Sequence, residues 1–176
     1  DKNLAPFWDR DGDNDYDPTK GDYPVIDSKT QGVYADQMIW WVFNDKGDVH
    51  SETGGEAIGL QLNALAFAFA TNDEVNNMTF YKYGIENKAT QPLDSVFFGQ
   101  WVDPDLGNYG DDYVGCVPSE GIGIVYNGDA NDELYGANPP MLCVDFFKGP
   151  RKQNGVDKDG NPTYEILNMS AFVYYN

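Results

Sequence analysis

Apolar and polar positions along this chain recur mostly with a period of two, the repeat of an extended strand whose side chains point alternately to opposite faces. Met38–Phe43 (MIWWVF) is a short β-branched and aromatic run, closed by the turn Asn44-Asp45-Lys46-Gly47. From Ile58 to Ala70, one face carries Ile58, Leu60, Leu62, Ala64 and Ala66, and the other carries Gln61, Asn63, Leu65, Phe67 and Phe69. The second face turns apolar beyond Asn63, as expected of a strand that becomes covered on both sides. A helix is the competing reading for its alanine-rich middle. Asn77–Lys88 alternates again, and Ser95–Asp103, Tyr113–Val117, Gly121–Tyr126, Met141–Phe147 and Thr163–Tyr175 supply further strands.

Turn signals separate these runs at short intervals: Asn-Gly at 127–128, Pro-Pro at 139–140, Gly-Pro at 149–150 and Asp-Gly-Asn at 159–161. Many short strands punctuated in this way predict an all-β fold, a β-sandwich of jelly-roll type. The first 35 or so residues are polar, aspartate-rich and weakly periodic. The expected organisation is therefore an Asp-rich leader over 1–36, clamped by calcium, and a β-sandwich over 37–176 belonging to a longer multi-domain protein. Asp1 opens the chain without a signal peptide, and Ser170–Asn176 (SAFVYYN) reads as a strand in progress, which suits a piece of something longer.

Composition sharpens this picture. A hydrophobic content of 41% with 15% aromatics in 176 residues argues for a folded core rather than disorder. Against 11 basic residues stand 29 acidic ones, a formal charge of −18. A field of that sign repels nucleic acid and anionic membrane, so neither is expected as a partner. It also requires cations among crowded carboxylates. No apolar run approaches the length of a membrane span. Two cysteines, Cys116 and Cys143, suggest one disulfide if the protein is secreted, with two free buried thiols as the alternative.

The strongest local signal is Trp8-Asp9-Arg10-Asp11-Gly12-Asp13-Asn14-Asp15-Tyr16-Asp17-Pro18. Calcium takes six to eight oxygen ligands, and alternate residues of a tight loop can aim several carboxylates at one point. Asp9, Asp11, Asp13, Asp15 and Asp17 are the candidate ligands. Two registers are open: Asp9, Asp11 and Asp13 lead with Asn14 at the tight turn, or Asp9, Asp11 and Asp15 lead with Gly12 there. Position twelve of the first register is Lys20 rather than Glu, which leaves Asp17 or Asp22 as the closing ligand. Two later loops repeat the theme, one with Asp103, Asp105, Asp111 and Asp112, the other with Asn127, Asp129 and Asn131. Asp157-Lys158-Asp159-Gly160-Asn161 also fits, although a plain hairpin turn explains it equally well.

Catalysis finds little support. A chain this acidic offers many carboxylate pairs of glycosidase spacing, so their presence carries no information. His50 is the only histidine, there is no CxxC pair, and no GxSxG elbow exists. The chain therefore reads as a non-enzyme. Trp40, Trp41, Tyr81, Tyr83, Trp101, Tyr174 and Tyr175 are numerous enough to stack on sugar rings. Adjacent Trp40 and Trp41 must, however, point to opposite faces of a strand, so at least one serves the core.

The Asp9–Asp17 loop resembles the calcium loops of thrombospondin type 3 and dockerin-like repeats. WDRDGDNDYDPTKGDYP, MIWWVFNDKG, GLQLNALAFAFA, NNMTFYKYGIENK, GQWVDPDLGNYGDDYVGC and PPMLCVDFFKGP together resemble a region of large Bacteroidetes surface proteins exported by the type IX secretion system. That resemblance implies an extracellular or cell-surface location and neighbouring domains of the same chain as partners. It transfers no catalytic residue. The expected function is a structural or adhesive calcium-binding module. Binding of a glycan or another surface protein is the alternative, and a fragment of a glycosidase or peptidase a weaker one.

Overall fold

A computed structural model describes residues 5–29 and 32–175. Residues 1–4, 30 and 31 of the expected leader, and Asn176 of the expected last strand, lie outside the described residues. The chain divides into two compact units, Asp1–Asp94 and Ser95–Asn176. Both are built from strands and turns, and among the described residues the helical elements are three short 3-10 turns, at Pro18–Lys20, Glu74–Asn77 and Tyr109–Asp111. The all-β expectation holds. The strands form small antiparallel sheets of two or three members. Among the described residues no helix is long and apolar enough to cross a membrane.

In the first unit, β1 (Phe7–Trp8) pairs with β2 (Tyr23–Pro24), while β3 (Gln37–Asn44), β4 (Leu60–Ala68) and β5 (Thr79–Asn87) form a sheet with β4 in the middle. The central place of β4 explains its two apolar faces. Trp41, Ala64 and Tyr83 share one cross-strand row, and Trp40, Leu65 and Lys82 the next, on the opposite face. Ala64 is fully buried and Leu65 is 4% exposed, so the strand is covered on both sides at its midpoint. Burial of Leu65 contributes about 1.5–3 kcal/mol of hydrophobic stabilisation. The helical alternative for this segment is excluded by its ladder. At the far end Phe67 stacks on Phe80 at 5.3 Å, and Phe69 meets both rings edge-on. Asp45 closes the β3–β4 connection by accepting hydrogen bonds from Ile58, Gly59 and Leu60 N–H. Lys82 Nζ donates to the Ile26 carbonyl, tying β5 to the aspartate-rich segment.

In the second unit, β6 (Asp112–Val117), β7 (Ile122–Asn127) and β10 (Met141–Asp145) form a sheet with β7 central. Between β7 and β10 lies the two-residue pair β8 (Asn131–Asp132) and β9 (Gly136–Ala137). β11 (Arg151–Val156) and β12 (Pro162–Ile166) make a hairpin whose turn is Asp157–Asn161. Asp157 accepts from Asp159 N, Asn161 N and Asn161 Nδ2, so this loop is the plain hairpin turn. Two strand expectations fail. Residues 95–103 form none, and Ser95 takes a left-handed φ of 56°. Residues 167–175 also form none; Phe172 instead packs over Gly123 of β7, where an added Cβ would come within 3.3 Å of its ring.

The expected disulfide is also corrected. Both thiols are free: Cys116 lies on β6 and Cys143 on β10, the two outer strands either side of β7. Two strand spacings amount to about 9.5 Å, beyond the Cα separation a disulfide tolerates. Cys116 shares its row with Gly123 and Val144, which places Cys143 on the other face of the sheet.

Candidate metal centre

The Asp9–Asp22 segment folds around its own carboxylates. Asp9 accepts hydrogen bonds from Gly12 N at 2.7 Å and Asn14 N at 2.8 Å, and so winds the loop back on itself. That winding needs left-handed backbone at two positions, and Gly12 (φ 75°) and Asn14 (φ 61°) supply it. Both turn positions anticipated by the two registers are thus used. Asp13 then accepts from Asp15 N. Asp17 caps the 3-10 turn Pro18–Lys20 through Thr19 N and Thr19 Oγ1, with Pro18 at its first position. Gly21 ends the turn at φ 100°; the Arg10 side chain fills the space a Cβ would need.

This turn reverses the chain and returns Asp22 to the start of the loop. Asp22 is 4% exposed and accepts from Arg10 N at 3.0 Å and Asp17 N at 2.9 Å. The result is a cluster in which Asp9, Asp11 and Asp22 each place a carboxylate oxygen within 4.8 Å of the other two. An oxygen-only, anionic set of this kind can hold a hard cation. Of the five alternating aspartates, Asp9 and Asp11 therefore converge, and the third member is Asp22.

The other three have different surroundings. Asp13 forms an ion pair with Lys20, which also lies 3.2 Å from Asp11. The Lys20 ammonium and the Asp15 amide hold the Asp13 carboxyl below its ordinary pKa. Thr19 does the same for Asp17. Asp15 is exposed. Lys20 thus occupies with a single positive charge the position where a calcium loop of the first register would carry its closing carboxylate.

In the second unit the two later loops form one locality. Asp112 of β6 is the register partner of Asn127 of β7, and Gly128 N donates to the Asp111 carbonyl at 2.7 Å. Asp132, only 1% exposed, accepts from Asn108 N, Leu134 N and Tyr135 N. It staples the turn after Leu106 to β8, with its carboxylate in the space above Gly107. Those amide donors, Asn108 and Tyr135 foremost, hold the Asp132 carboxyl below its ordinary pKa despite its burial. The loop alternation from Asn127 to Glu133 marks this region, but not that Asp132 is its buried anchor. Asp103 and Asp105 are exposed, Asp129 is exposed and accepts from Asn131 N, and Asn131 is exposed on β8. His50 sits beside a turn with Nε2 2.9 Å from the Asp45 carbonyl oxygen.

Comparison with known proteins finds no matching family model, curated protein or solved structure.

Proposed function

We propose that this chain is a calcium-binding structural or adhesive module of a secreted or cell-surface bacterial protein, without catalytic activity. The observation that carries the reading is the convergence of Asp9, Asp11 and Asp22 oxygens within 4.8 Å. Three carboxylates with no nitrogen or sulfur ligand favour calcium over zinc or copper. So few charged protein ligands suit the weak end of calcium affinity, at about 10⁻⁴–10⁻³ M, where extracellular modules work. The surface location rests on the sequence resemblance described above.

A structural role follows from how little else holds the segment. In the first unit the buried apolar residues, among those described, are Val25, Ala64 and Leu65. An ion that binds only the folded loop adds its binding free energy to folding. Isothermal calorimetry of the chelator-stripped chain tests this reading. Calcium binding in the micromolar to millimolar range is expected; no heat up to several millimolar calcium, with an unchanged melt, rejects it.

Carbohydrate binding is a second reading, favoured by Trp41 and Tyr81. The register puts both on one face of the β3–β4–β5 sheet, with Trp41 36% and Tyr81 58% exposed. Exposed aromatic faces are the surfaces on which pyranose rings stack. A glycan array probed with the full chain decides it, and an array without hits at high protein concentration removes it.

A further inference from the structure

We infer that the second unit carries its own cation site, built where the loops ending at Asp112 and starting at Asn127 meet, with Asp111, Asp112 and Asn127 as ligands. The inference stands apart from the Asp9–Asp11–Asp22 cluster, because the two sites share no residue and lie in different units.

Three buried side-chain oxygens here have no hydrogen-bond partner: Asp111 Oδ1, Asp112 Oδ1 and Asn127 Oδ1. Asp111 and Asp112 are consecutive, and Asn127 is the direct register partner of Asp112. The Asp112 and Asn127 side chains are oriented by their neighbours. The other oxygen of Asp112, Oδ2, accepts from Leu106 N at 2.9 Å, which leaves Oδ1 facing elsewhere. Asn127 is 9% exposed, and its Nδ2 donates to the Asp129 carbonyl at 3.1 Å. Turning that amide over would set two oxygens against each other, so the orphan atom of Asn127 is an acceptor. The corner is tight: a Cβ on Gly128 would lie 2.8 Å from the Asp111 carbonyl and 2.5 Å from the Tyr113 ring.

Three buried acceptors, two of them on carboxylates, are costly to leave unmatched. One water has two protons and no charge, so it can satisfy only two acceptors and neutralises neither carboxylate. A lysine or arginine would serve, yet among the described residues no ion pair reaches Asp111 or Asp112. A divalent hard cation matches both the charge and the acceptor-only set, with waters completing its shell.

The test is a calcium titration of the ¹⁵N-labelled full chain followed by NMR. Two separate groups of shifting signals are expected, one over residues 9–22 and one including the amides of 111–113 and 127–129 and the Asn127 side-chain amide. Shifts confined to 9–22 overturn the inference, whatever they say about the first site. Equilibrium dialysis then counts ions. Asp112→Asn is expected to weaken the second site roughly tenfold or more by removing a charged ligand while leaving the first intact. Full stoichiometry and unchanged affinity in Asp112→Asn also overturn it. Should that variant fold poorly, the wild-type titration decides alone.

Discussion

Calcium removal should lower the melting temperature of the first unit by an amount the geometry bounds. Three carboxylate oxygens lie within 4.8 Å of one another at Asp9, Asp11 and Asp22. At that separation each like-charge pair costs about 0.9 kcal/mol even at the dielectric constant of water, and the three pairs together about 2.6 kcal/mol. A divalent ion reverses that term. By mass action, calcium at about a hundred times its dissociation constant stabilises the folded state by about 2.7 kcal/mol. For a unit of this size the shift corresponds to about 10–20 °C.

Asp11→Asn separates ion binding from mere packing. Asp11 is exposed, and its ion-pair partner is Lys20 at 3.2 Å. Losing one exposed ion pair costs at most about 1 kcal/mol, and losing two repulsive pairs offsets it. In chelator the variant should therefore melt within a few degrees of the native chain, whereas in calcium at about a hundred times the native dissociation constant it should melt well below it. Calorimetric scans of both proteins, with and without chelator, provide the four values. A native melt indifferent to calcium, or an Asp11→Asn deficit as large in chelator as in calcium, refutes the reasoning.

Lys20→Glu replaces the ammonium beside Asp11 and Asp13 with the closing carboxylate of the first register, and should raise calcium affinity by roughly tenfold or more while weakening the ion-free fold; calorimetry gives the first and chelated melts the second. Gly107→Ala should destabilise the second unit by about 1 kcal/mol or more in urea titration, because φ is 80° and the added methyl meets the Asp132 carboxylate. In chelator, the second unit should lose stability as pH falls. Asp132 has a folded-state pKa below its ordinary 3.8, so the unfolded chain binds its proton first; the contribution is complete above about pH 5 and drains away as pH falls through 3.8 and below. Asp132→Asn should flatten that slope in urea titrations from about pH 6 to 3, and a native slope of zero or opposite sign contradicts the assignment. Both cysteines should titrate with a thiol reagent in the native chain, Cys143 faster than the half-buried Cys116, and reductant should leave the melt unchanged.

The larger sheet elements were legible because β4 and β5 alternate in polarity over part of their length and β3 is an unbroken β-branched and aromatic run, Met38–Phe43. The pattern failed where order comes from elsewhere. Arg151–Val156 (RKQNGV) is exposed throughout and alternates in nothing; it becomes a strand because the Asp157 carboxylate closes the turn to β12. Residues 95–103 have strand-like composition, with Val96, Phe97, Phe98 and Trp101, yet form no strand. The sites divide in the same way. Asp9 and Asp11 were legible from local alternation. Asp22 was legible only as one of two closing ligands, since its return depends on the Asp17 cap and the left-handed Gly21. The meeting of Asp112 with Asn127 is a register across fifteen residues that no local spacing encodes.

Behind the formal charge of −18, two kinds of carboxylate shape the loops. Asp45, Asp132 and Asp157 are surrounded by backbone N–H donors, which lower each pKa and turn the negative charge into a staple for a loop. These need no ion, and their stabilisation should survive chelation. Asp9, Asp11 and Asp22 instead bring carboxylate oxygens together, and Asp111 and Asp112 each keep a buried oxygen without a hydrogen-bond partner. Asp9 and Asp22 use amides to fix their position and still present an oxygen to the cluster. The two kinds respond oppositely to conditions: acid weakens the amide-held staples, while chelator releases the oxygen clusters at neutral pH. Loops bound by both, such as 9–22, should loosen under either treatment. The Asp157 turn should respond to acid alone, which makes the β11–β12 hairpin the internal reference for any calcium effect measured on this chain.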